Sequence, residues 1–178
     1  MKRTLIVVDM QNDFITGALG TPEAQAIVPK VREKFLEFYD NNEYIFFTRD
    51  THFENYLDTA EGQKLPVTHC IENTDGWEIS SDVLAAHEED KITDIIDKKT
   101  FGFDSWGVYD DIFEECDEIV VVGVCTDICV VSNVLALKAL YPEIEITVDA
   151  SCCAGVTPES HQAALTTMKM CQINVIGE

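Results

Sequence analysis

Basic residues are scarce in this chain of 178: 12 Lys and Arg stand against 33 Asp and Glu, a net charge of −21. So acidic a molecule repels nucleic acid and anionic membrane, which excludes non-specific polyanion binding. Long apolar runs are missing too. The first, Leu5 to Val8, ends at Asp9, whereas a secretory core needs about 7–15 apolar residues and a membrane span about 20. No later run reaches either length. Paired CxxC spacing is also absent. Cys70, Cys116, Cys125, Cys129, Cys152, Cys153 and Cys171 are odd in number and form no zinc knuckle, so thiols in a reducing cytoplasm are expected rather than a disulfide framework. With 46% of residues hydrophobic and 25% charged, residues 1–178 are expected to form one domain that needs no disulfide staple.

Short β-branched runs alternate with longer amphipathic ones. Strands are expected at Thr4–Val8, Tyr44–Thr48, Ile92–Ile96, Ile119–Gly123, Ile144–Asp149 and Ile173–Ile176, and helices at Pro22–Tyr39, Asp127–Leu140 and Pro158–Met170. That alternation implies an α/β fold, three layers with a central six-stranded parallel sheet. IVVVG is apolar throughout, as in a strand covered on both faces. The polar stretch Asp50–Glu78 is too long for an idle connection and reads as functional. The acidic stretches His87–Asp90 and Glu114–Glu118 read as solvated faces, and His87 and His161 as surface residues outside any constellation.

Ligands of parallel sheets bind beyond the carboxyl ends of the strands. There the sequence places Asp9, then Asp50 and His52, then Lys98 and Lys99, and finally Cys129 in the first turn of a helix. Singly, an Asp after a strand is a turn residue, a lysine is a solvated charge, and a cysteine is a small core residue. Their convergence in so lysine-poor a chain is informative. Thr126 or Asp127 is a fitting N-cap, which puts Cys129 near unpaired backbone N–H groups and the positive end of the helix dipole. That setting favours a thiolate and can hold an oxyanion. Asp9 can exchange the protons such a nucleophile requires, with Lys98 balancing the charge.

The segments LIVVDMQNDF, RDTH, EGQKLPVTHC, DKKTFGF, GVCTDICV and DASCCAGVTPESHQAAL run through the whole chain. In this order they resemble the isochorismatase-like cysteine hydrolases, and within them the nicotinamidases. The resemblance implies Asp9 as general acid and base, Lys98, three residues before Phe101, as its partner, and Cys129 as nucleophile. It implies a cis peptide at Val124–Cys125 that aims the Cys125 and Cys129 amides at an oxyanion. It also implies one divalent metal ion (zinc, iron or manganese) held by Asp50, His52 and His69, with Glu61 as a further ligand. Phe14, Phe101, Phe103 and Trp106 are candidate walls for a flat ring. The chain departs from the family pattern at Gly102–Phe103–Asp104 and at Cys125, whose thiol adds a possible disulfide partner for Cys129.

The expected reaction is hydrolysis of nicotinamide to nicotinate and ammonia through a cysteine thioester, a step of NAD salvage. The same trio on another small amide or a carbamoyl amine is the alternative, and a non-catalytic binding protein on this scaffold a further one. Vinyl-ether cleavage would leave Cys129 unexplained. A small-molecule substrate, no nucleic acid, no membrane and a homo-oligomer complete the expectation.

Overall fold

Strand β1 (Arg3–Val8) has the sequence RTLIVV, and its alternate residues enter two different cores. Leu5 and Val7 pack with Ile27, Val31, Phe35 and Phe38 of helix α1 (Pro22–Asp40). Ile6 and Val8 pack on the opposite face with Val134 and Leu137 of α2 (Val131–Leu140) and Leu165 and Met168 of α3 (Pro158–Met170). A sheet so covered on both faces requires strands apolar at every position. The computed structural model describes residues 2–178, except the side chains of residues 86 and 87, so His87 lies outside it.

The remaining strands are β2 (Tyr44–Asp50), β3 (Asp94–Lys98), β4 (Glu118–Val124), β5 (Glu145–Ala154) and β6 (Asn174–Ile176). All pairs are parallel, in the order β3-β2-β1-β4-β5-β6. The expected three-layer α/β architecture is therefore present. From β1 the chain builds outward through β2 and β3, then returns to add β4 on the other side. The edge between β1 and β4 is the switch point at which open α/β sheets bind ligands.

Several boundaries differ from expectation. β3 starts two residues later than its apolar run and ends on Lys98 itself. β5 continues to Ala154 because, past an irregularity at Val121/Gly123, Cys153 pairs with Gly123 and Ala154 with Val124. Gly123 sits at φ 117° where a Cβ would lie 2.1 Å from the Val8 carbonyl oxygen, so only glycine lets β4 pass β1 there. The expected helix Asp127–Leu140 is two pieces, a wide π-type turn over Thr126–Val130 followed by α2. Within Asp50–Glu78 lie a short helix at Ala60–Lys64 and a 3-10 turn at Tyr56–Asp58. Glu88 is not on a solvated face: it is 5% exposed and grips the Arg32 guanidinium with both oxygens.

Candidate active site

Asp9 follows β1 in a left-handed backbone conformation, φ 49°, that few residues other than glycine, Asn and Asp adopt. Its N–H donates to the Thr48 carbonyl at the end of β2, and the Thr48 hydroxyl donates to Asp9 Oδ1 at 2.6 Å. Asp9 Oδ2 lies 2.6 Å from Lys98 Nζ. Both side chains are fully buried, and the same ammonium lies 3.7 Å from Cys129 Sγ and 3.7 Å from Asp50 Oδ1. Lys99, next in sequence, is exposed, with its ammonium over the Phe53 ring.

Burial drives the electrostatics. It raises the Asp9 carboxyl, and Lys98 only partly offsets this. Lys98 is desolvated as well, but Asp9, Cys129 and Asp50 overrule that and keep it charged. Burial also pushes the Cys129 thiol far up, Asp9 adds to the rise, and Lys98 alone of its close neighbours opposes it strongly. A resting thiolate, expected from the helix start, is thus not what the surroundings favour. These surroundings favour the thiol of Cys129 over its thiolate, with the Asp9 carboxylate close to the same Lys98 ammonium.

The second group of residues lies along the same edge. Asp50, His52, Glu61 and His69 each offer a ligand atom, and these atoms lie within 4.8 Å of one another. Asp50 ends β2, and Glu61 lies on the first turn of Ala60–Lys64, whose start Thr59 caps through the Gly62 N–H. The Val67 carbonyl can only accept, so His69 Nδ1 carries the proton and Nε2 faces the cluster, 3.5 Å from Asp50 Oδ2. His52 Nε2 is 2.8 Å from Asp50 Oδ2 but out of line for a hydrogen bond. It and Asp50 Oδ1 are therefore buried without a hydrogen-bond partner. Buried orphan donors and acceptors are costly, and four converging O and N ligands fit a cation that would satisfy them. Burial raises Asp50, yet His52, His69 and Lys98 prevail and hold it below the usual carboxylate range.

A cavity of about 670 Å³ joins the two groups, with Asp50, Glu61 and His69 on one wall and Cys125, Ile128 and Cys129 on another. Phe14 and Phe101 line it, and Phe14 meets the His69 ring edge-on at 5.6 Å. Phe103 and Trp106 do not line it, which corrects their assignment as pocket walls. Trp106 is fully buried against Phe46 and Phe113, and Phe103 packs on Trp106. Asn133 explains why: its Oδ1 accepts from the Phe103 N–H and from Trp106 Nε1, drawing both under α2. The peptide Val124–Cys125 is cis.

Three supporting residues escaped sequence reasoning, Gln11, Asp13 and Asn133, and a fourth, Thr126, has another role than the one expected. Gln11 clamps Asp50 by accepting its N–H at 2.7 Å and donating to its carbonyl at 2.9 Å. Asp13 accepts the Cys70 N–H beside His69, and its carboxylate fills the space over Gly76 where a Cβ would stand. Asn133 Nδ2 donates to the Cys129 carbonyl at 2.8 Å. Thr126, the expected cap, caps nothing; its hydroxyl meets His161 instead. Asn133 alone carried a signal, as an amide set in the apolar run CVVSNVLAL.

Fold and site together place the molecule among parallel-sheet proteins that gather an acid, a lysine and a thiol at the switch point. At the level of family the match is definite: residues 3–177 fit the isochorismatase domain, and the chain belongs to that family. Among similar proteins, the nicotinamidase of Escherichia coli (strain K12) is 28% identical over 94% of this chain and 90% of its own. The pyrazinamidase/nicotinamidase of Streptococcus mutans UA159 superposes with a TM-score of 0.85 at 28% identity, covering 98% of this chain and 100% of that one. The pyrazinamidase of Pyrococcus horikoshii, solved in complex with zinc, gives 0.81 at 30% identity over 100% of both chains.

Proposed function

We propose that this chain is a nicotinamidase, hydrolysing nicotinamide to nicotinate and ammonia. The observation that carries the reading is one buried ammonium, Lys98, in reach of Asp9, Cys129 and Asp50, so that a thiol with its proton acceptor adjoins a four-ligand cluster, and Cys129, Asp50, Glu61 and His69 line one cavity. Relatives named for the same reaction support it.

Asp50, His52, Glu61 and His69 would hold a divalent ion, zinc, iron or manganese. Bound there, it would supply a Lewis-acidic site for a pyridine nitrogen or a water. The chain's own groups perform the chemistry. Asp9 takes the proton from Cys129 Sγ while Lys98 stabilises the sulfur anion. The sulfur attacks the carboxamide carbon, and backbone amides of Cys125 and Cys129 hold the oxyanion. The C–N bond breaks and ammonia leaves with the proton from Asp9. Asp9 then takes a proton from water, whose oxygen attacks the thioester carbon. The C–S bond breaks, and nicotinate and the thiol are released. Phe14 and Phe101 flank the ring. The place of such a reaction is NAD salvage in the cytoplasm; among the described residues no helix is long and apolar enough to cross a membrane.

The test is ammonia release from nicotinamide by the purified protein, by Cys129→Ala, and by protein stripped with a chelator. The reading expects turnover in the first, none in the second, and recovery of the third on adding metal. Full activity in Cys129→Ala refutes the thioester route. No turnover by metal-loaded wild type refutes nicotinamide as substrate and directs attention to carbamoyl amines.

A further inference from the structure

The turn that carries Cys129 is held from outside by a different element. Thr126, its first residue, is 0% exposed, and its Oγ1 lies 2.8 Å from Nδ1 of His161 in the first turn of α3. The next residue, Asp127, accepts the Val156 N–H with both carboxylate oxygens at 3.1 and 3.3 Å. Val156, in the loop that leads into α3, itself lines the active-site cavity. Two consecutive residues of the nucleophile's turn are thus tied by their side chains, one to the first turn of α3 and one to the loop before it.

The chain is shaped for this approach. A Cβ at Gly155 would lie 2.9–3.0 Å from the backbone N, Cα and Cβ of His161, so glycine is what lets the loop lie against the start of α3 at this residue. Thr157 caps α3 through the Ser160 N–H, with Pro158 as the first helical residue, which fixes the helix start and hence His161. Within the turn itself, both the Ile128 and the Val130 N–H groups converge on the Cys125 carbonyl. Such wide turns are locally irregular and recur at functional sites. With no capping hydrogen bond of its own, this one takes side-chain support from α3.

We infer that His161 is a positioning residue for the amidase reaction: through Thr126 Oγ1 it fixes the turn that presents the Cys129 sulfur and the backbone amides of Cys125 and Cys129. The inference rests on the nicotinamidase reading for its substrate, but the hydrogen bond exists independently of it. His161 touches none of the reacting groups. It acts on alignment, and misplacement of this kind reduces kcat by up to roughly 100-fold. Its other side faces a second, open cavity of about 260 Å³ beside α1, so truncating the imidazole enlarges a space already open and leaves the fold standing.

The experiment compares wild type, His161→Ala, His161→Asn, Thr126→Val and the double variant His161→Ala/Thr126→Val. It measures kcat and KM for nicotinamide, with thermal unfolding as the control for fold. His161→Ala is expected to lower kcat roughly 10- to 100-fold with KM within about twofold. His161→Asn, whose amide can reach the position of Nδ1, restores most of kcat. Thr126→Val loses as much as His161→Ala, and the double variant loses no more than either, because one bond is removed in each case. Wild-type kcat in both single variants, losses that multiply in the double variant, or failure of His161→Asn to restore kcat would each overturn the inference. Should wild type not hydrolyse nicotinamide, the substrate reading falls. The role of His161 is then decided by the rate at which iodoacetamide alkylates Cys129, followed by peptide mass spectrometry. Matching altered rates in the two single variants with recovery in His161→Asn support it, and unchanged rates refute it.

Discussion

At Lys98 a single positive charge with no solvent exposure serves two carboxylates and a thiol. Removing one member of a buried ion pair strands the others and typically costs about 3–5 kcal/mol. Lys98→Met, of similar length and without charge, is therefore expected to lose stability of that order in urea unfolding as well as turnover. Surface lysine substitutions such as Lys99→Met should move stability by no more than about 0.5 kcal/mol. A lysine beyond the third strand was legible because the chain has few, while the choice of Lys98 over Lys99 rested on its spacing to Phe101 in the family pattern, since the strand's extension to Lys98 has no apolar signal. That Trp106 belongs to the core was not: its indole N–H partner, Asn133, is 27 residues away, and no local pattern announces such a pairing. Glu88 misled for the same reason, since its Arg32 partner lies on a distant helix.

On the scale of elements, legibility followed the locality of the signals. α3 was bounded correctly at both ends because Thr157 and Pro158 mark its start and its apolar positions repeat with helical period. The turn at Thr126–Val130 departs from expectation because a Thr-Asp pair before an apolar run is an ordinary capping signal, whereas here one side chain is spent on α3 and the other on the loop before it. β5 was cut short because its last five residues, ASCCA, are small and lack the β-branched character that marks a strand. The contact between the turn and α3 also carries a pH dependence. Burial lowers the pKa of His161, while Asp127 and Glu178 pull the other way without reversing it; Glu23 lines the cavity on its outer side. The unfolded chain thus takes up the proton first, so this contribution is complete above the unfolded histidine value of about 6.5 and is lost as pH falls below it. Melting temperatures between pH 7.5 and 5.5 should fall more steeply for wild type than for His161→Asn. Parallel curves would remove His161 from the acid response.

For the molecule as a whole, the candidate ion cluster binds parts of the chain that the sheet alone does not secure. Asp50 belongs to β2, but His52, Glu61 and His69 lie on the long connection to β3. A metal held by all four stabilises the folded state by an amount set by its free concentration, about 2.7 kcal/mol at 100 times its Kd. Chelation is accordingly expected to lower the melting temperature, and Glu61→Gln to reduce the response to added metal. A melting temperature indifferent to chelator and metal alike would show that the cluster holds no ion in solution.

The sheet order has a bearing on how the protein is made. β1 lies between β2 and β4, with Thr4 opposite Tyr44 on one side and Arg3 opposite Glu118 on the other. During synthesis at about 5–20 residues per second, β1 acquires its first neighbour early but waits on the order of ten seconds for its second. Throughout that interval the hydrogen-bonding edge of LIVV is open, with Asp9 at the end of a half-built sheet. An unpaired apolar strand is a template for association with other chains. The placement that makes a switch point for ligands in the finished molecule therefore also leaves an apolar edge open to association while the chain is being made.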